Sequence, residues 1–129
     1  MIDLAGLLLD SLQDRGIRSI RARPAQQLPV LSEALAAVGV KRMKLQRGDA
    51  SAVWAKWTLF VDIYAAYRLG ASCCEIAGRT VAAALIEGFA DCKAENVRAE
   101  EIFYDPHSDC FRQRVTAEVT SYLVKGEDI

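Results

Sequence analysis

The chain has 129 residues, 52% of them hydrophobic and 26% charged, with a formal net charge of −1. That length and mix suit one globular domain, residues 1–129, with one sizeable core. The near-neutral total excludes a polycation built for nucleic acid or an anionic membrane surface, and no stretch approaches the ~20 apolar residues of a membrane span.

Leu4, Leu7, Leu8 and Leu12 recur at helical spacing behind Asp3, which can cap the first turn, and Gly16 follows where a left-handed residue ends a helix. The same opening, MIDLAGLLLDSLQDR, has an acidic third residue and an apolar run broken at Asp10, unlike a secretion signal. IRSIRARP is a short basic strand that must stop near Pro24, and PAQQLP is a connecting loop. LSEALAAV has helical propensity, but Gly39 and the alternation in VKRMKLQ predict a strand over 35–46, closed by a turn at RGDAS.

AVWAKWTLFVDIYAAY carries the strongest strand signal. Val53, Ala55, Trp57, Leu59, Val61 and Ile63 form an apolar face for the core. Trp54, Lys56, Thr58, Phe60, Asp62 and Tyr64 form a mixed face, too aromatic for a purely solvent-facing side. Ser72 and Glu75 have the S-x-x-E spacing of a capping box and predict a helix start there. Its packing stripe is Ala77, Val81, Ala84, Leu85 and Gly88, whose small residues let the helix lie close to a sheet.

DCKAEN closes that element, and the last third reads as a hairpin. NVRAEEIFY leads in, and FRQRVTAEVTSYL leads out with period two. Phe111, Gln113, Val115, Ala117, Val119 and Leu123 take one side; Arg112, Arg114, Thr116, Glu118, Thr120 and Tyr122 take the other. Residues 124–129 are a charged tail expected to fray. The predicted class is α+β: an antiparallel sheet packed against a main helix, with an additional N-terminal helix.

The one histidine stands in YDPHSDCF, between strand-like runs. Asp-Pro followed by small polar residues suits a turn. His107 and Cys110 offer two ligands where zinc needs about four, and no second pair stands at ligand spacing. A Cys–His nucleophile also needs a third group to orient its base. Cys73, Cys74, Cys92 and Cys110 are therefore expected to be free thiols, mostly small core residues. Neither G-x-x-x-x-G-K nor G-x-G-x-x-G occurs. No catalysis, cofactor, metal, small-molecule substrate or membrane contact is expected.

The charge is unevenly split. Residues 1–70 carry ten Lys/Arg and six Asp/Glu, net +4, and residues 71–129 carry six and eleven, net −5. Opposite poles can draw identical subunits together. The densest basic run, KRMKLQR (41–47), could instead bind nucleic acid, with Trp54 and Phe60 to stack bases. Its cations lie on strand positions, so a solvated or subunit-facing side of a sheet is the favoured reading.

Three stretches, in their order, resemble the tail-terminator or tail-completion (neck) proteins of tailed bacteriophages and related phage tail-like particles. AAVGVKRMKL looks like the family's first long strand, and WTLFVDIYAAYRLGASCCEIAGRTVAAAL like its middle strand and capped helix. EEIFYDPHSDCFRQRVTAEVTSYL looks like its closing hairpin. The resemblance implies a sixfold ring of identical subunits that caps the tail tube, ends its polymerisation, and meets the tube, sheath or neck proteins. It implies a place in the virion or tail-like particle, with assembly in the bacterial host cytoplasm, and no catalysis. On this reading Arg112, Arg114 and Glu118 of the closing strand, with Lys41, Arg42 and Lys44 of the basic strand, face a neighbouring subunit or the tube. Arginine suits such a surface because its planar fork grips carboxylates.

Overall fold

The computed structural model describes residues 3–23, 28, 31–47, 52–90, 92 and 94–124, with backbone alone at 46–47, 52–54 and 121–124. The predicted PAQQLP loop and RGDAS turn lie largely, and the KGEDI tail wholly, outside the described residues. In chain order the elements are α1 (Leu4–Asp14), β1 (Arg18–Arg21), β2 (Leu35–Arg47), β3 (Ala52–Ala66), a 3₁₀ turn (Tyr67–Leu69), α2 (Ala71–Glu87), β4 (Ala94–Ala99), β5 (Phe103–Asp105) and β6 (Cys110–Val124).

The α1 helix starts and stops for the expected reasons. The Asp3 carboxylate accepts from the Gly6 N–H at 3.1 Å, and Gly16 follows the last turn at φ 82°. The α2 helix starts differently. Gly70 is its N-cap, without a side-chain cap, so the helix already includes Ala71. Ser72 therefore sits inside the first turn rather than at the cap. Glu75 accepts from Arg79 one turn on, at 2.5 Å, instead of closing a capping box.

The six-stranded sheet has the order β1-β2-β3-β6-β4, and β5 pairs with β6. Since β3 occupies one side of β6 along its whole length, β4 and β5 share the other. The predicted lead-in strand is thus two short strands, broken after Ala99. The sheet is antiparallel except at β1, which runs parallel to Leu35–Val38 of β2. That exception follows from connectivity: β1 and β2 are joined by a long segment that returns the chain in the same direction rather than by a tight turn.

Both helices pack on one face of the sheet. The core there joins Leu4, Leu8 and Leu12 of α1, Ala77, Val81 and Leu85 of α2, and Trp57, Leu59, Val61 and Ile63 of β3. The last core wall is Val115, Ala117 and Val119, the inward face of β6. Gly78 lets α2 close on the sheet, because a Cβ there would strike the Gln113 side chain. No helix among the described residues is long and apolar enough to cross a membrane.

A β-bulge in β2 keeps two sets of residues on their proper faces. The register moves from Val40↔Leu59 to Arg42↔Thr58, leaving Lys41 as the extra residue. Unbroken alternation from Val38 would turn Arg42 and Lys44 toward the core. With the bulge, Met43 opposes Trp57 and packs on the core, while Arg42 and Lys44 point the other way.

Candidate functional site

The face of the sheet away from the helices carries the charged and aromatic residues singled out above. Among the described residues, its helix-free surface is covered only near the start of β6, where Leu31, Leu35 and Cys110 form a small second core with Leu28, Ile20 and Tyr64. The rest is built from alternate positions of β2, β3 and β6: Arg42 and Lys44; Lys56, Thr58, Phe60, Asp62 and Tyr64; Arg112, Arg114, Thr116 and Glu118.

At its centre Asp62 stands directly opposite Arg114. Arg114 donates from Nε to Oδ1 at 2.7 Å and from Nη2 to Oδ2 at 2.9 Å, a bidentate fork. Asp62 is buried, at 7% exposure, even though no helix of the described residues covers this face. The side chains around it explain this. Arg114 also lies over the Phe60 ring, 4.6 Å from its centroid. The Asp62 carboxylate raises the Arg114 guanidinium further above its ordinary value.

Arg112 extends the same network. Its Nη1 donates to Asp105 at 3.1 Å, its Nη2 lies 3.8 Å from Asp62, and its guanidinium stacks 4.6 Å over Tyr64. Asp105 also accepts from the His107 N–H and the Ser108 hydroxyl, both at 3.0 Å. Desolvation alone would push the Asp105 carboxyl up, but these three donors together hold it below its ordinary range. Phe60 reaches across to Gly39, where a Cβ would come within 2.5 Å of the ring. The absence of a side chain at Gly39 is what makes room for the ring there.

Toward the far end of the face, Glu118 accepts from Asn96 at 3.2 Å and pairs with Lys56 at 3.2 Å, and these partners lower its carboxyl. Lys41, Arg42 and Lys44 are exposed. The six interface candidates thus differ in kind. Arg42, Lys44, Arg112, Arg114 and Glu118 share one face, and Lys41 sits at the bulge on the border of β2. The two arginine forks already hold carboxylates of their own chain, whereas the β2 cations are displayed outward.

The YDPHSDCF segment is the turn between β5 and β6. His107 is exposed at its tip, whereas Cys110 is buried, at 3% exposure, so the turn does not present the two together to solvent. Tyr104 Oη donates to Asp109 at 2.6 Å, and the Tyr67 N–H donates to the Asp109 carbonyl at 3.0 Å. Among the described residues no group of three or more His, Cys, Asp or Glu could hold a metal ion. All four cysteines are free thiols, with Cys74 and Cys110 buried and Cys73 and Cys92 partly so.

Two features escaped the reading of the sequence. One is Asp62 as a buried counter-ion; its signal was an acid set among aromatics in the middle of the strongest strand. The other is a half-exposed aromatic cluster. Tyr67, Tyr104 and Phe111 pack with centroids 5.5 to 6.1 Å apart, and Tyr67 is 60% exposed. Its members come from three elements, so no local periodicity reveals it.

No protein-family model matches the chain, and no curated protein matches it. Among solved structures the fold is similar to a chain of the virion of a native gene transfer agent (GTA) particle. The TM-score is 0.52 at 12% sequence identity, and the match covers 94% of each chain. At that identity the likeness establishes a shared α+β fold, spanning nearly the whole of both chains.

Proposed function

We propose that this chain is a non-enzymatic structural protein of a phage-like particle, and more finely that it forms a ring that caps the tail tube, ending tail growth or joining tail to head. The observation that carries the reading is the end-to-end fold likeness to a virion component. The order of sequence motifs supports the finer role, because it resembles the tail-terminator and neck group. The open face of the sheet supports it too. Its cations and aromatics form a surface fitted to a protein neighbour: another subunit of the ring, or the tube, sheath or neck. The particle is the protein's final location, and assembly of the ring takes place in the host cytoplasm.

The test removes the gene from a particle-producing strain and examines the products by electron microscopy. The expected result is tails of uncontrolled length, or full-length tails without heads, with normal particles returning when the gene is supplied again. Normal tails of uniform length joined to heads in its absence would sink the proposal. The purified protein should also form rings by negative stain, and a sixfold count is expected.

A further inference from the structure

Strand pairing leaves two sheet edges open, and they complement each other. β1 covers β2 only over Leu35–Val38. From Val40 to Arg47, β2 has β3 on one side and, among the described residues, no strand on the other. At the opposite border, β4 pairs, among the described residues, only with β6, which leaves its outer edge open from Ala94 to Ala99. Unpaired strand edges present rows of backbone donors and acceptors that template pairing with another chain.

We infer that the open edge of β2 in one subunit accepts β4 of the next subunit as an antiparallel strand, so that the sheet continues from copy to copy around the ring. The inference rests on the ring reading above and deepens it by naming the contact.

Three observations carry it. The first is charge. The β2 segment displays Lys41, Arg42 and Lys44, all exposed, while β4 and the residues after it display Glu95, Glu100 and Glu101, also exposed, with Arg98 the one cation over 94–101. Pairing β2 with another β2, or β4 with another β4, sets like charges side by side, which is unfavourable across strands; β2 with β4 sets opposites together. The favoured contact is therefore head-to-tail, the kind that generates rings rather than two-fold dimers.

The second is apolar surface. Val40 and Leu45, on this same segment, are 38% and 55% exposed, and an arriving strand would cover them. The third is direction and height. β2, β3, β6 and β4 alternate in direction, so β4 of a ring neighbour meets β2 antiparallel. Through β3 and β6, Ala94 is level with Met43 and Ala99 with Val38. A stagger of a few residues, such as strand tilt supplies in a closing sheet, brings β4 past the end of β1 onto the open segment.

The test uses two charge-reversed proteins, K41E/R42E/K44E and E95K/E100K/E101K, studied by sedimentation velocity beside the wild type. Circular dichroism confirms that each is folded. Each alone should self-associate about tenfold or more weakly, since its two edges now carry the same sign. An equimolar mixture should assemble again, because the all-acidic and all-basic copies can alternate. In the wild type, backbone amides of 40–47 and 94–99 should gain hydrogen-exchange protection on assembly, a readout that needs no variant. If the wild type forms rings while both reversed proteins form them equally well, or without added protection at these segments, edge pairing is wrong and the ring reading stands. If the wild type stays monomeric at high concentration and on isolated tail tubes, the ring reading fails and takes this contact with it.

Discussion

Asp62 and Arg114 face each other across β3 and β6 and close a two-point fork at 2.7 and 2.9 Å, which makes the centre of the open face a structural unit before it is anything else. Arg114→Ala should leave a buried carboxylate without its main counter-ion and cost about 2–3 kcal/mol, less than a fully enclosed pair because the arginine side chain is 38% exposed. Urea denaturation reads this directly. The paired change Asp62→Leu with Arg114→Met should recover most of the loss, since replacing both partners leaves no orphaned charge. Arg114→Glu is consequently a folding variant, unsuited to probing assembly alone.

Gly39→Ala is expected to destabilise by about 1–3 kcal/mol, because the new methyl group would meet the Phe60 ring at 2.5 Å. Combining it with Phe60→Ala should cost less than the sum of the two single changes. Strict additivity in a double-mutant cycle would show that the ring and the glycine are not in contact.

Stability should fall in acid through Asp105. Its folded-state carboxyl lies below the ordinary value of 3.8, so the unfolded chain binds the proton more readily. The contribution is fully present above that value and is lost as the pH drops through the lower folded one. Asp3, held down by Arg21, and Glu118, held down by Asn96 and Lys56, act in the same direction. Asp105→Asn should be less stable at neutral pH and show a shallower decline below about pH 4. An unchanged acid limb in thermal melts would remove Asp105 from the network.

The thiols should separate by accessibility. Burial pushes Cys74 up to about 11 and raises Cys110 as well. Since the thiolate is the reacting form, an aromatic disulfide reagent at pH 8 should label Cys73 and Cys92 first, with Cys74 and Cys110 reacting only on unfolding. Rapid native labelling of Cys74, followed by mass spectrometry, would contradict the packing of α2.

Local pattern carried much of this fold. The alternation of Trp57, Leu59 and Val61, and of Val115, Ala117 and Val119, was legible because a one-residue shift would turn every such side chain to the wrong face. The start of α2 was misread for a physical reason: Gly70 at φ 83° ends the 3₁₀ turn and opens the helix by backbone geometry alone, so Ser72 has no cap to make. The bulge at Lys41 leaves a trace in the sequence, because the apolar positions move from Val38 and Val40 to Met43 and Leu45, but only the opposing strand shows which residue is the extra one. For the candidate surface, which residues share the open face could be read from period two. That Arg112 and Arg114 are held by Asp105 and Asp62 could not, since those partners lie on other strands.

The ladder between β3 and β6 runs from Ala66↔Cys110 out to Ala52↔Val124 and is the longest in the molecule. It joins residues 52–66 to residues 110–124, so the central strand lacks one of its two partners until β6 has been made. Folds that depend on such distant pairings form slowly compared with those built from neighbouring segments. During translation β3 therefore waits with one flank bare, and the charges on its uncovered side, Lys56 and Asp62, are what stand between a nascent chain and premature pairing with another.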